Sequence, residues 1–257
     1  MSPTPHQRAS PYRRDKHPSC SEHALISNGH RGSGAAICCT LLTVLSLLAC
    51  LTWPSSHARE PSAVGVATTE ADEAGFTPLF NGKSLDGWEI HGTRSGWSVR
   101  PGGILRNDAS KGNHNWIYYS KKTFKDFILK LEWKVATNGN SGVFLRAMKG
   151  DAPWATGVEV QISNAPRNAS HCTGSLYGLA AVDPRPDERA ELWHSYEIHC
   201  VGNRYTVIAD GVTCVESGDQ HKALLTRPLE GYIGLQDAHQ KAPSYIEYRN
   251  IRIKELK

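Results

Sequence analysis

Cysteine is scarce where it would matter. Seven occur in 257 residues, but Cys20, Cys38, Cys39 and Cys50 lie in or before one apolar run, leaving Cys172, Cys200 and Cys214 for the rest of the chain. An odd number without CxxC spacing excludes a disulfide framework and a structural zinc site. Cys200 and Cys214 alternate with apolar neighbours and read as buried thiols, a bridge between them being the alternative. Charge of one sign is missing too. Beyond residue 58, 24 Lys and Arg face 23 Asp and Glu, so only +1 of the formal +4 belongs there. A near-neutral, mixed surface argues against a nucleic-acid partner. Helical period is likewise absent from stretches longer than about ten residues, the run from Phe124 being the one ambiguous case. No repeat of fixed length appears.

The chain does have a basic stretch followed by an apolar one. Residues 1–34 are rich in Pro, Ser, His and Arg and carry no predicted structure. The run from Ala35 to Trp53 then follows, with Arg31 before it and Arg8, Arg13, Arg14 and Lys16 further upstream. That layout is a secretory signal. Three outcomes stay open: cleavage after Ala58, lipidation of Cys50 in Leu47-Leu48-Ala49-Cys50, or an uncleaved anchor that tethers the protein to a membrane. Each puts the remainder outside the cytoplasm, whether periplasmic, secreted or membrane-anchored. Residues 59–75 read as a linker. Residues 76–257 are long enough for one core.

Within those residues the pattern is short strands and turns. Trp97 to Arg100 and Ile104 to Arg106 flank a glycine-rich turn. Trp116 to Ser120 and Phe124 to Val135 read as strands, the second with Phe127, Leu129, Leu131 and Trp133 on one face. Tyr196 to Val201, Tyr205 to Ala209 and Val212 to Val215 form a meander joined by Gly202-Asn203 and Asp210-Gly211. Gly231 to Asp237 turns Ile233 and Leu235 inward. Tyr245 to Lys254 closes the sheet. The predicted fold is all-β, a jelly roll of two antiparallel sheets.

The stretch Gly139 to Ile162 carries the chemistry. Val143 and Leu145, then Val158, Val160 and Ile162, offer apolar faces. Arg146, Glu159 and Gln161 are expected together on the opposite side. Two readings fit: a face that binds a hydroxyl-rich partner, or the wet side of an antiparallel sheet. The segment Ser163 to Arg189, dense in Pro, Asn, Asp and Gly, is too long for a hairpin loop and reads as functional. It holds His171, Tyr177 and Asp183. His194 and His199 read as structural, and Trp88, Trp133 and Trp193 as core. Trp116 and Trp154, beside loops, are candidates to stack on a sugar ring.

Several segments together resemble one family. They are Phe80-Asn81-Gly82-Lys83-Ser84-Leu85-Asp86-Gly87-Trp88, Asn140 to Arg146, Gly157 to Ile162, Trp193 to Ile198, Gly231 to Asp237 and Tyr248 to Ile253, in that order. The chain is similar to the 3-keto-disaccharide hydrolases, bacterial secreted proteins of concanavalin-like jelly-roll fold. The resemblance implies cleavage of glycosides oxidised to a ketone at C3, with a carbohydrate as partner. The ketone acidifies the C2 proton, a base removes it, the C1 substituent leaves, and water adds. The catalytic candidates are Glu159, His239 and His171. The substrate-binding candidates are Arg146, Gln161, Asn140, Gln236, Asp237, Tyr177 and Trp154. The metal ligands are unknown: a bound divalent cation could polarise the ketone, but no ligand spacing demands one, and no other cofactor is implied. One departure stands out: family members often have His-Gly directly after Gln-Asp, whereas here Gln236-Asp237 is followed by Ala238-His239.

Overall fold

A computed structural model describes residues 73–92, 96–109, 115–150, 152–239 and 243–257. The basic stretch, the apolar run and nearly all of the linker lie outside the described residues. Among the described residues, no helix is long and apolar enough to cross a membrane.

Among the described residues, thirteen strands form two antiparallel sheets. The larger sheet runs β11 (Val212–Glu216), β10 (Arg204–Ala209), β9 (His194–Val201), β6 (Phe127–Val135), β13 (Tyr245–Glu255), β4 (Ile104–Asp108) and β3 (Trp97–Arg100), and β1 (Thr77–Pro78) adds to β13. The smaller runs β2 (Trp88–His91), β5 (Trp116–Tyr119), β12 (Tyr232–Gln236), β7 (Asn140–Ala147) and β8 (Val158–Ser163). The expected jelly roll is therefore what the chain forms. The closing strand β13 lies inside its sheet, between β4 and β6.

Alternation explains the core. Phe127, Leu129, Leu131 and Trp133 of β6 are buried, as are Tyr196, Ile198 and Cys200 of β9. They meet Val143, Leu145, Val158, Val160, Ile162, Ile233 and Leu235 from the smaller sheet. Each such side chain contributes about 1.5–3 kcal/mol on leaving water. In β13 the inward positions switch from Ile246 and Tyr248 to Ile251 and Ile253. The switch falls at an irregularity after Arg249, where Asn250 has φ 52°. An inserted residue resets a strand's alternation. All three described cysteines are buried and free, so Cys200 and Cys214 are core thiols. Trp193 departs from expectation: it sits half-buried on the outer face, with Arg249 4.0 Å and Lys134 5.0 Å from its ring centre.

The segment after β8 folds along the outer edge of that strand. Gln161 N–H donates to Ser175 O, Gly174 N–H to Gln161 O, and Tyr177 N–H to Glu159 O. The edge of the smaller sheet is thus satisfied by a loop rather than by another strand. His194 pins the far end of this segment, bonding Asp210 through Nδ1 at 2.6 Å and the Arg189 carbonyl through Nε2 at 2.9 Å.

Candidate functional site

The face of the smaller sheet turned away from the core carries the candidate residues. Register sets side chains in rows across it. Gln161 lies opposite Gly142, Gln236 opposite Trp116, and Trp116 opposite His91. The next row holds Glu159, Phe144, Gly234, Tyr118 and Glu89. Paired residues of an antiparallel ladder share a face, so Tyr177, opposite Glu159 along the loop, stands on the same side.

Glu159 does not stay in its row. A Cβ added to Gly142 would fall 2.9 Å from the Glu159 Cγ and closer still to its Oε1. The carboxyl therefore lies over Gly142, in the space a side chain there would fill. It is 4% exposed and has no hydrogen-bond or ion-pair partner among the described residues. Burial pushes its pKa up to about 8, against a pull downward from the charge of Arg167. A carboxyl with that value is a stronger base, once ionised, than a solvated one.

The polar groups around it are also short of partners. Gln161 uses its Oε1 to accept the Ile162 N–H at 2.9 Å, which leaves its amide hydrogens to donate. Asn140 Oδ1, Gln236 Oε1 and Asp237 Oδ1 are buried without a hydrogen bond. Native proteins leave few such atoms, and a cluster of them marks a place where something else binds. Asp237 is anchored by its other oxygen, which accepts the Asn115 N–H at 3.0 Å. His239 follows on, its N–H bonded to Asn140 O and its Nδ1 3.5 Å from Asp237 Oδ1. Ala238 turns inward and is buried, with its N–H on Asn107 Oδ1. The Ala-His order thus returns a histidine to the Asn140 end of the face. His171 is part of the edge loop, with Nδ1 2.8 Å from Asn168 Oδ1 and its ring 4.7 Å from that of Tyr177.

Aromatic residues fill the other half of the face. Trp116, Tyr118 and Phe144 are buried together. Trp116 is stacked on His91 at 5.1 Å and donates its Nε1–H to Gly150 O, so it is packing rather than an open platform. Trp154 is half-buried on the four-residue helix α1 (Pro153–Thr156), edge-on to Trp116 at 5.7 Å.

Arg146 is the main correction. It was expected beside Glu159, but its φ is 50° and the β7–β12 register slips at this point. A bulge turns the side chain to the other side. There it is fully buried, donating to Lys125 O at 2.6 Å, to Gly202 O and to Asp126 at 2.9 Å. Its guanidinium lies 5.6 Å from the Tyr205 ring centre and 5.8 Å from that of Phe127, residues of the opposite sheet. Arg146 holds the two sheets together and does not face Glu159. The cation that does act on Glu159 is Arg167, which the sequence did not single out. It lies in an irregular segment whose geometry has no period to read. Among the described residues no three His, Cys, Asp or Glu side chains converge where a metal ion could be held.

Comparison with known proteins follows the same lines. A family model described as the 3-keto-alpha-glucoside-1,2-lyase-like domain matches residues 75–254. A protein of Bacteroides thetaiotaomicron named 3-keto-disaccharide hydrolase is 35% identical over 86 residues, 30% of this chain and 29% of that protein. The chain therefore matches less than a third of that relative's length. A glycosyl-hydrolase candidate from Parabacteroides distasonis superposes with a TM-score of 0.62 at 22% identity, covering 74% of this chain and 98% of its own. A second from the same organism gives 0.52 at 26% identity, covering 71% and 84%.

Proposed function

Because the chain belongs to the 3-keto-α-glucoside-1,2-lyase-like family, we propose that it breaks the glycosidic bond of sugars already oxidised to a ketone at C3. The observation that carries the proposal is Glu159: a buried carboxyl without a partner among the described residues, its pKa raised to about 8, lying over a glycine on the face where Asn140 Oδ1 and Gln236 Oε1 are left without a hydrogen bond. In this reading Glu159 removes the C2 proton. The electron pair of that C–H bond moves toward C3, and the ketone oxygen becomes an enolate. The ketone then re-forms, C1=C2 forms and the C1–oxygen bond breaks, the leaving oxygen taking a proton. Water adds across C1=C2, OH to C1 and H to C2, giving net hydrolysis. The Gln161 amide donates to the ring oxygens. Asn140, Gln236 and Asp237 accept from sugar hydroxyls. His239 or His171 supplies the proton to the leaving group. The basic stretch and apolar run support a place outside the cytoplasm for this activity.

The test is aglycone release from a chromogenic 3-keto-glucoside by the full chain and by Glu159→Gln, each with and without chelator. Release by the parent, its loss in the variant, and a kcat/KM that rises with pH through a midpoint near 8 are expected. Glycan binding with no release by either protein favours the second reading, a non-catalytic carbohydrate-binding module.

A further inference from the structure

Ten arginines lie in the described residues, and eight of them pair with a carboxylate. Arg227 and Arg167 are the two without a carboxylate partner there. Arg227 donates to a backbone carbonyl, that of Ala155. Arg167 donates only its Nε–H, to Ser163 Oγ at 2.8 Å. Ser163 follows Glu159 and Gln161 on the same face of β8 and lies opposite Asn140. Arg167 therefore reaches the Ser163 end of that face, its two terminal amino groups without a partner among the described residues.

Glu159 is the matching anomaly. An unpaired carboxyl and an unpaired guanidinium share one face, near enough for the charge of Arg167 to act on Glu159. No ion pair joins them among the described residues: below about pH 8 Glu159 is largely protonated, and Arg167 is half-buried. Ser163 holds the guanidinium at its Nε. Arg185 Nη1 donates to the Arg167 carbonyl at 2.9 Å. Asn164 pins the loop, accepting the Gly139 N–H at 2.7 Å and donating to Ala136 O at 3.0 Å. The Gly142 space keeps the carboxyl on its own side. What remains is a base and a cation held apart on one face, with Gln161 between Glu159 and Ser163 along β8.

We propose that Arg167 binds the C3 ketone oxygen and takes up the charge that develops there as the C2 proton passes to Glu159. This rests on the function proposed above. C2 and C3 are neighbours, so base and cation must stand close without touching. Paired, they would neutralise each other. Widely separated, the cation would miss the enolate. As the C2–H bond breaks, the proton goes to a Glu159 oxygen and the electron pair becomes C2=C3. The former carbonyl pair settles on the oxygen facing the Arg167 amino groups. Collapse of the enolate then expels the C1 substituent, with no oxidant or reductant needed.

The experiment compares the full chain with Arg167→Met, Arg167→Lys, Ser163→Ala and Glu159→Gln on one chromogenic 3-keto-glucoside. It follows aglycone release, deuterium wash-in at C2 and thermal stability. Arg167→Met should lower kcat/KM by about 10²–10³-fold, the loss typical of one oxyanion donor. Arg167→Lys should restore part of it, and Ser163→Ala should fall between Arg167→Met and the parent. Deuterium wash-in should fall with release, because enolate formation itself is slowed. The midpoint of the pH profile should rise in Arg167→Met, since the charge that lowers the pKa of Glu159 is gone. If Arg167→Met folds and keeps parental kcat/KM and midpoint while Glu159→Gln is dead, this inference is overturned and the function stands. If the parent itself releases nothing, both fall together.

Discussion

The outer face of the larger sheet and the open face of the smaller one use the same residue types to opposite ends. On the outer face Arg106 bonds Asp108 and Glu247, Lys134 bonds Glu247, Arg249 bonds Glu132, and Arg252 bonds Glu73. Aromatic rings lie under the same cations: Tyr245 under Arg106, and Trp193 under Arg249 and Lys134. That face is the wet side of a sheet with its charges matched. On the open face Glu159, Arg167, the Gln161 amide, Asn140 Oδ1 and Gln236 Oε1 have partners missing. Apart from the half-buried Arg167 these groups are buried, and a desolvated polar group left unpaired costs about 1–3 kcal/mol, a cost that the ligand proposed above would relieve. The wet-face reading is met on the larger sheet; on the smaller one Glu159, Gln161, Asn140 and Gln236 are buried, as the binding reading proposed above requires.

The largest break in that contrast is expected at the base. Glu159→Gln should cut kcat/KM by about 10²–10⁴-fold, the usual contribution of a positioned base. The same change should stabilise the fold. The folded carboxyl titrates near 8 and the free one near 4.5. The unfolded chain therefore releases this proton first, and stability is lost as pH rises from about 4.5 to about 8. A neutral glutamine escapes that loss, so chemical denaturation at pH 8 should show a gain of about 2–4 kcal/mol that shrinks toward pH 4.5. A gain independent of pH would mean that Glu159 is not desolvated.

Arg146→Met tests the arginine that left the site. Removing this fully buried guanidinium strands two backbone carbonyls and the part-exposed Asp126, and should cost about 3 kcal/mol in denaturation. The folded fraction should keep its KM and its pH profile. A changed pH midpoint at undiminished stability would return Arg146 to the site.

Gly142→Ala is smaller and purely local. The new methyl displaces the Glu159 carboxyl, and a shift of about 1 Å can cost roughly 10²-fold in rate. The melting temperature should fall modestly, because a buried side chain has to move from its Cγ outward. Normal turnover in this variant would mean that the carboxyl works from elsewhere.

The mildest change belongs to the outer face. Glu132→Gln should cost under about 1 kcal/mol, with less effect in high salt and none on turnover. A large loss of activity there would erase the distinction between the two faces.

Legibility followed periodicity. The β6 face of Phe127, Leu129, Leu131 and Trp133, the β9–β10–β11 meander and the inward Ile233 and Leu235 could all be read, because alternation reports which side is dry. Glu159 and Gln161 were legible for the same reason. Trp116 was not: a tryptophan beside a loop looks like a platform until Gly150 and His91 are seen to cover it. The gap between Glu159 and Arg167 was not legible either.

By itself, then, the sequence determined that these residues form two antiparallel sheets around one core, and that a carboxylate and amides stand on a face turned from it. Period 2 and turn residues are local, and they act wherever the strand ends up. Which cation would face that carboxylate was decided only in three dimensions. One residue inserted in β7 turned Arg146 into the core, and a loop without period brought Arg167 over Ser163. A bulge and a loop path are set by what packs against them, here the backbone of Arg146 against Gly231 and the edge of β8 against Leu176. Those contacts span long separations along the chain, beyond the reach of any local pattern.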